Sequence, residues 1–130
     1  MKEVRRPGPN RKNPLSIILV DDDALIRMSA AEMLRDLGHR VQDVARGRDA
    51  LALLSGESPI DVLIADLALP DMNGAELAAE ACNIRQDLRV VFASGHSKSM
   101  VNLDPSRIKF VFLSKPYDTR QLSDALAKLA

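Results

Sequence analysis

Short, wholly apolar runs alternate along this chain with longer segments in which apolar residues recur every three or four positions. Ile17–Val20, Val62–Ala65, Val90–Ala93 and Phe110–Leu113 contain no polar residue, as expected of strands buried on both faces. A further strand is predicted around Arg40–Ala45. From Ala24 to Leu37, the residues Ile26, Ala30, Met33, Leu34 and Leu37 follow helical spacing on one face, with Asp23 placed to cap the start and Gly38 to end it. A short helix is predicted over Arg48–Leu54, with Ala50, Leu53 and Leu54 inward. Gly74 opens a third helix, in which Leu77, Ala78, Ala81 and Ile84 share a face. The last helix, from about Thr119 to Ala130, buries Leu122, Ala125, Leu126 and Leu129. Ser97–Arg107 is weaker: Met100, Val101 and Leu103 are its only apolar anchors and Pro105 interrupts it, so a shortened or partly unwound fourth helix is expected. Strands alternating with amphipathic helices imply βαβ units, hence an α/β protein with a doubly wound parallel sheet.

Composition narrows the picture. At 130 residues and 46% apolar content, the chain fits one domain with a substantial core. Polar residues interrupt every apolar run well short of a membrane span. The N-terminus has no apolar stretch of the secretory type, so a cytoplasmic location is expected. A single cysteine, Cys82, excludes an internal disulfide; near the third helix's inner face, it reads as a small apolar filler. His39, in a helix–strand turn, is expected to be exposed. The net charge is zero, yet residues 1–13 carry five basic side chains (Lys2, Arg5, Arg6, Arg11, Lys12) against Glu3, a net of +4 that leaves −4 on the remainder. With Pro7, Gly8, Pro9 and Pro14 beside them, residues 1–14 are expected to form a flexible basic tail, and residues 15–130 a single domain.

Candidate chemistry sits where the apolar runs end. Val20 leads into Asp21-Asp22-Asp23, Ala65 into Asp66, Ala93 into Ser94, and Leu113 into Ser114-Lys115-Pro116. In a parallel sheet these carboxyl ends share one rim, where open α/β sheets place their sites. Asp23 suits a helix cap, but three adjacent carboxylates repel one another unless a cation relieves them. Magnesium, a hard ion taking carboxylates, water and phosphate oxygens, answers that need. The turn after Asp66 already has Pro70 and Asn73-Gly74 to form it, which leaves Asp66 as a nucleophile or metal ligand; Asp71 reads as a loop surface residue. Lys115 can neutralise phosphoryl oxygens as a point charge. The set is suited to phosphoryl transfer.

The motifs Ile-Leu-Val-Asp-Asp-Asp (18–23), Asp-Leu-Ala-Leu-Pro-Asp-Met-Asn-Gly (66–74), Ala-Ser-Gly (93–95) and Leu-Ser-Lys-Pro-Tyr (113–117) resemble the receiver domain of two-component response regulators. The resemblance covers residues 16–130 and implies a flavodoxin-like (βα)5 fold with strand order 2-1-3-4-5. It implies that Asp66 is the phosphoacceptor, and that Asp21, Asp22, Asp66 and the backbone carbonyl of Ala68 hold Mg2+, with Mn2+ as an alternative and Asp22 the more direct ligand. Ser94 would hydrogen-bond the phosphoryl group, Lys115 would pair with it, and Ser94 and Phe112 would form the switch. Ser in place of the Thr often found there leaves the rotamer freer, and Phe112, lacking a hydroxyl, would switch by sterics alone. Ala68 and His96 would flank the path of the hydrolytic water.

The implied partners are a sensor histidine kinase or a histidine phosphotransfer protein, with the downstream protein target unspecified. The sequence suits a single-domain response regulator or the receiver of a hybrid histidine kinase. No DNA-binding domain and no membrane association are expected, and dimerisation is compatible with the sequence. Self-phosphorylation and self-dephosphorylation are expected of a regulatory domain rather than of an enzyme. Two other readings remain open. One is a pseudo-receiver that binds partners without phosphorylation; the other is a haloacid-dehalogenase-like magnesium phosphatase with Asp21 as nucleophile, although no later acidic pair matches that family.

Overall fold

The computed structural model describes residues 14–95 and 102–130. Its elements run β1 (Ser16–Val20), α1 (Ala24–Asp36), β2 (Arg40–Val44), α2 (Gly47–Leu54), β3 (Val62–Asp66), α3 (Gly74–Ile84), β4 (Arg89–Ser94), β5 (Lys109–Ser114) and α4 (Thr119–Leu129). The five strands are all parallel, in the order β2-β1-β3-β4-β5. This is the flavodoxin-like order expected of the chain. Residues 102–108 form a turn and no helix; the rest of the expected fourth helix, and the basic tail, lie outside the described residues.

Residue alternation sorts the core onto the two faces of the sheet. Ile17, Leu19, Val62, Ile64, Val91 and Leu113 meet Ala30, Ala31 and Leu34 of α1 and Leu122, Leu126 and Leu129 of α4. Ile18, Val20, Leu63 and Ala65 meet Ala50 and Leu54 of α2 and Leu77 and Ala81 of α3. The central strands β1 and β3 are therefore buried on both sides, while edge strand β2 carries Arg40, Gln42 and Asp43 exposed.

Local chemistry sets the helix ends. Asp23 Oδ1 accepts from the N–H groups of Leu25 and Ile26 at 3.0 and 3.2 Å, as its sequence position predicts. Gly38, at φ 96°, ends the segment in the left-handed region that glycine enters without a Cβ penalty. Capping boxes start α3, through Asn73 and Glu76, and α4, through Asp118 and Gln121.

Three expectations fail in detail. Ile26 is 36% exposed and Ile84 42% exposed; each lies near one end of its helix and misses the sheet, and Ala31 joins the buried face of α1 instead. His39 is buried, only 4% exposed, because alternation places it on the same face of β2 as Val41, which packs into the core. Its Nδ1 accepts from the Leu15 N–H at 3.0 Å.

Candidate functional site

Strand register brings the predicted residues to the rim. Val20 pairs with Ala65, so Asp21 stands one step beyond, beside Asp66. Asp66 pairs with Ala93, and Ser94 with Ser114, so Ser94 and Lys115 each follow one step later. Asp21 continues the alternation of Ile17 and Leu19, Asp66 that of Val62 and Ile64, and Lys115 that of Val111 and Leu113, all on one face of the sheet. Two strand ends and the end of a third thus aim charged side chains at one point.

The Lys115 ammonium bridges two carboxylates there, donating to Asp21 Oδ2 at 2.8 Å and Asp66 Oδ2 at 2.9 Å. The other oxygens are held by backbone: Asp21 Oδ1 accepts from the Asp23 N–H at 2.9 Å and Asp66 Oδ1 from the Ala68 N–H at 3.1 Å. The Asp21 carbonyl accepts from Arg27 at 2.7 Å. Asp21 is buried, Asp66 half-buried and Asp22 exposed, and one oxygen of each lies within 4.8 Å of one of each of the others. A cluster of hard, anionic oxygens at such spacing is a donor set that fits Mg2+.

The electrostatics agree. Burial pulls the Lys115 ammonium down, but its hydrogen bonds to Asp21 and Asp66 and their charges outweigh that and raise its pKa above the usual lysine value. Tyr117, two residues on, is pushed up by its burial first and by the Asp21 charge second. The Lys115–Pro116 peptide is cis.

Ser94 is buried at the end of β4 and shares the alternation of Phe92. Phe112, half-buried on β5, packs on that same face, with ring centroids 5.7 Å from both Phe92 and Phe110. Ala68 follows Leu67 at the start of the β3–α3 loop and is exposed. His96 lies outside the described residues.

Asp71 is not a free surface residue. Its two carboxylate oxygens accept from the N–H groups of Gly47 and Arg48, each at 2.9 Å. These bonds hold its carboxyl below the usual range, the Arg48 N–H first. No local pattern announces this contact, because its partners lie 24 and 23 positions upstream.

A parallel sheet in this order, with an acidic cluster and a lysine at its carboxyl rim, defines a receiver-type signalling domain. The chain belongs to the response regulator receiver domain family, whose profile matches residues 17–127. It is 32% identical to the response regulator receiver protein CpdR of Brucella abortus over 87% of this chain and 94% of that protein. It is 31% identical to the sensor kinase CckA of the same organism over 88% of this chain but only 12% of the kinase, so that the chain spans about an eighth of that relative. The structure of TrrA from Thermotoga maritima in complex with Mg(2+)-BeF superposes with a TM-score of 0.76 at 25% identity, covering 89% of this chain and 99% of that one. The protein is therefore a phosphoacceptor signalling domain of the two-component type, and receiver domains interact with histidine kinases or phosphotransfer proteins. Among the described residues no helix is long and apolar enough to cross a membrane.

Proposed function

We propose that Asp66 takes a phosphoryl group from a phosphohistidine of a sensor histidine kinase or histidine phosphotransfer protein, in a Mg2+-dependent step that changes the surface around Ser94 and Phe112. The observation that carries this reading is the Lys115 ammonium held between Asp21 and Asp66, with three carboxylates gathered at one point. Asp21, Asp22, Asp66 and the Ala68 carbonyl would hold the ion, which when bound neutralises the clustered charge and the phosphoryl oxygens; Mn2+ suits the same donors.

The residues divide the work. An Asp66 carboxylate oxygen attacks phosphorus in line while the P–N bond breaks, its electron pair returning to the imidazole nitrogen. Carboxylates are weak nucleophiles, so the transfer depends on a reactive donor and on positioning and charge neutralisation. Lys115, already charged and aimed at Asp66 Oδ2, meets a phosphoryl oxygen without reorganisation. The Ser94 hydroxyl then donates to another phosphoryl oxygen and shifts toward it. On the same face of the sheet Phe112, ringed by Phe92 and Phe110, moves inward, biasing an equilibrium between two surfaces. Attack of water on phosphorus restores the carboxylate and releases phosphate; Ala68 and His96 would tune that rate. The donor's docking surface is supported by apolar side chains beside the pocket: Leu25 is 80% exposed, and Leu25, Met33, Pro116 and Tyr117 line a groove of about 480 Å3 that Lys115 also borders.

The test is the intact mass of the protein after incubation with acetyl phosphate, with and without magnesium. One added phosphoryl group is expected in the wild type with magnesium and none in Asp66→Asn. An adduct that persists in Asp66→Asn would place the acceptor elsewhere. No adduct from acetyl phosphate or phosphohistidine donors would favour a module that binds without phosphorylation.

A further inference from the structure

The segment that follows Asp66 is a closed loop. The Gly74 N–H donates to the Leu67 carbonyl at 2.8 Å, and Ala68 pairs with Asn73 in an isolated antiparallel bridge. Gly74 backs directly onto β3, since a Cβ there would collide with the Asp66 carbonyl oxygen and lie 2.8 Å from Leu67 Cα. These contacts shut the base of the loop. Its tip is held from outside, by α2.

Asp71, at that tip, accepts from two successive backbone N–H groups in the first turn of α2, at 2.9 Å each. The Arg48 Nε lies 3.8 Å from Asp71 Oδ2. Arg46, in the N-cap position of α2, makes no side-chain capping bond, so Asp71 supplies from the β3–α3 loop the cap that the helix lacks locally. Met72 completes the joint: it packs into the core with Ala50 and Leu54, and a Cβ on Gly47 would meet its Cγ and Sδ at 2.7 Å. Glycine at 47 is what lets the loop tip seat against the helix.

We infer that Asp71 is a positioning residue for the metal: by bracing the loop tip against α2 it fixes Ala68 and Asp66 in the geometry that completes the acidic cluster. The inference rests on the magnesium site of the proposed function. Two of the residues assigned to that site, Asp66 and Ala68, sit at the base of this loop and are tied to each other by the Ala68 N–H. Removing the brace leaves the loop held at its base alone, so more of the ordering of the Ala68 carbonyl falls to the moment of binding. The entropy of that ordering appears as weaker affinity. Chemistry on the loaded site is unchanged, because Asp71 touches neither Asp66 nor Lys115.

The test is calorimetric titration of the folded protein with Mg2+ alone, together with the magnesium dependence of phosphorylation by acetyl phosphate. Asp71→Ala should raise the magnesium Kd about tenfold, the lower end of what residues supporting a metal ligand contribute. At saturating magnesium its phosphorylation rate should return to the wild-type value. Asp71→Asn, which keeps one acceptor oxygen, should fall between them and serves also if the alanine variant does not fold. An unchanged Kd with a lowered melting temperature would make Asp71 a helix cap only and overturn the inference. So would a rate that stays low at saturating magnesium. The underlying site is checked separately with Asp22→Asn: wild type that binds no magnesium, or binds it equally well in that variant, overturns the site itself and the inference with it.

Discussion

The two ends of the same sheet use polar groups in opposite ways. At the amino end each polar side chain answers a backbone group or a neighbour. His39 Nδ1 accepts from the Leu15 N–H and Asp61 Oδ2 from the Ser16 N–H at 2.8 Å, while Arg40 donates to Ser16 Oγ at 3.2 Å. At the carboxyl end three carboxylates are drawn together and one ammonium bridges two of them. The first arrangement holds the start of β1 by hydrogen bonds, although it leaves His39 Nε2 without a partner among the described residues. The second concentrates like charge that one lysine only partly offsets, and so favours any added cation or phosphoryl group that redistributes it. Local consistency marks the structural end, and local conflict the functional one.

The largest test of this contrast removes the offsetting charge. Lys115→Ala would leave Asp21, whose side chain is only 4% exposed, facing Asp66 with no cation between them. Breaking a largely buried pair on one side strands a charge, and a loss of about 3 kcal/mol is expected, read by urea denaturation. Magnesium should restore part of that loss in Lys115→Ala and add less to the wild type. A variant as stable as wild type without magnesium would show that the carboxylates are relieved by other means, and the contrast would fail.

A smaller effect probes the amino end. His39 lies buried with Nδ1 accepting and Nε2 without a partner among the described residues, and burial lowers its pKa below the usual 6.5. The unfolded chain therefore takes up the proton first as the pH falls. The stability His39 lends is complete above the unfolded value of 6.5 and declines as the pH drops from there toward the folded value. The slope cannot exceed about 1.4 kcal/mol per pH unit. His39→Gln can keep an acceptor for the Leu15 N–H without titrating, so it should lose less stability than wild type between about pH 7.5 and 5.5. Parallel denaturation curves for the two proteins would mean that the imidazole is protonated in place at no cost.

How legible these ends were differs for a physical reason. The carboxyl rim could be read because each strand is short, apolar and sharply ended, so Asp21, Asp66, Ser94 and Lys115 declare their place by following a run. Asp23 and Gly38 were readable too, since capping and left-handed turns are local. The amino end was not. His39 follows a turn glycine and looks exposed, yet alternation with Val41 puts it inside; extending the strand pattern two residues backward would have found it. Asp61 and Asp71 bond partners 45 and 24 positions away, and such pairings exist only once the strands and helices have docked. Ile26 and Ile84 fit their helical faces but overrun the sheet, because periodicity gives direction around a helix and not the extent of what it covers.

The smallest effect has the most telling sign. Asp22 is exposed, and one of its oxygens lies within 4.8 Å of carboxylate oxygens of Asp21 and Asp66. Lys115 is bonded to those two. Asp22 therefore adds repulsion to the cluster, and Asp22→Asn should stabilise the metal-free protein by about 0.5 kcal/mol, the scale of exposed charge pairs. The same change removes a hard anionic ligand and should weaken magnesium binding, so stability measured at high magnesium falls below wild type. Plotted against magnesium concentration, the two stability curves should cross. A variant less stable than wild type at every concentration would mean that Asp22 serves the fold as His39 and Asp61 do, and would erase the difference between the two ends of the sheet. Curves that cross would identify the acidic rim as a place where stability is given up locally so that binding can restore it.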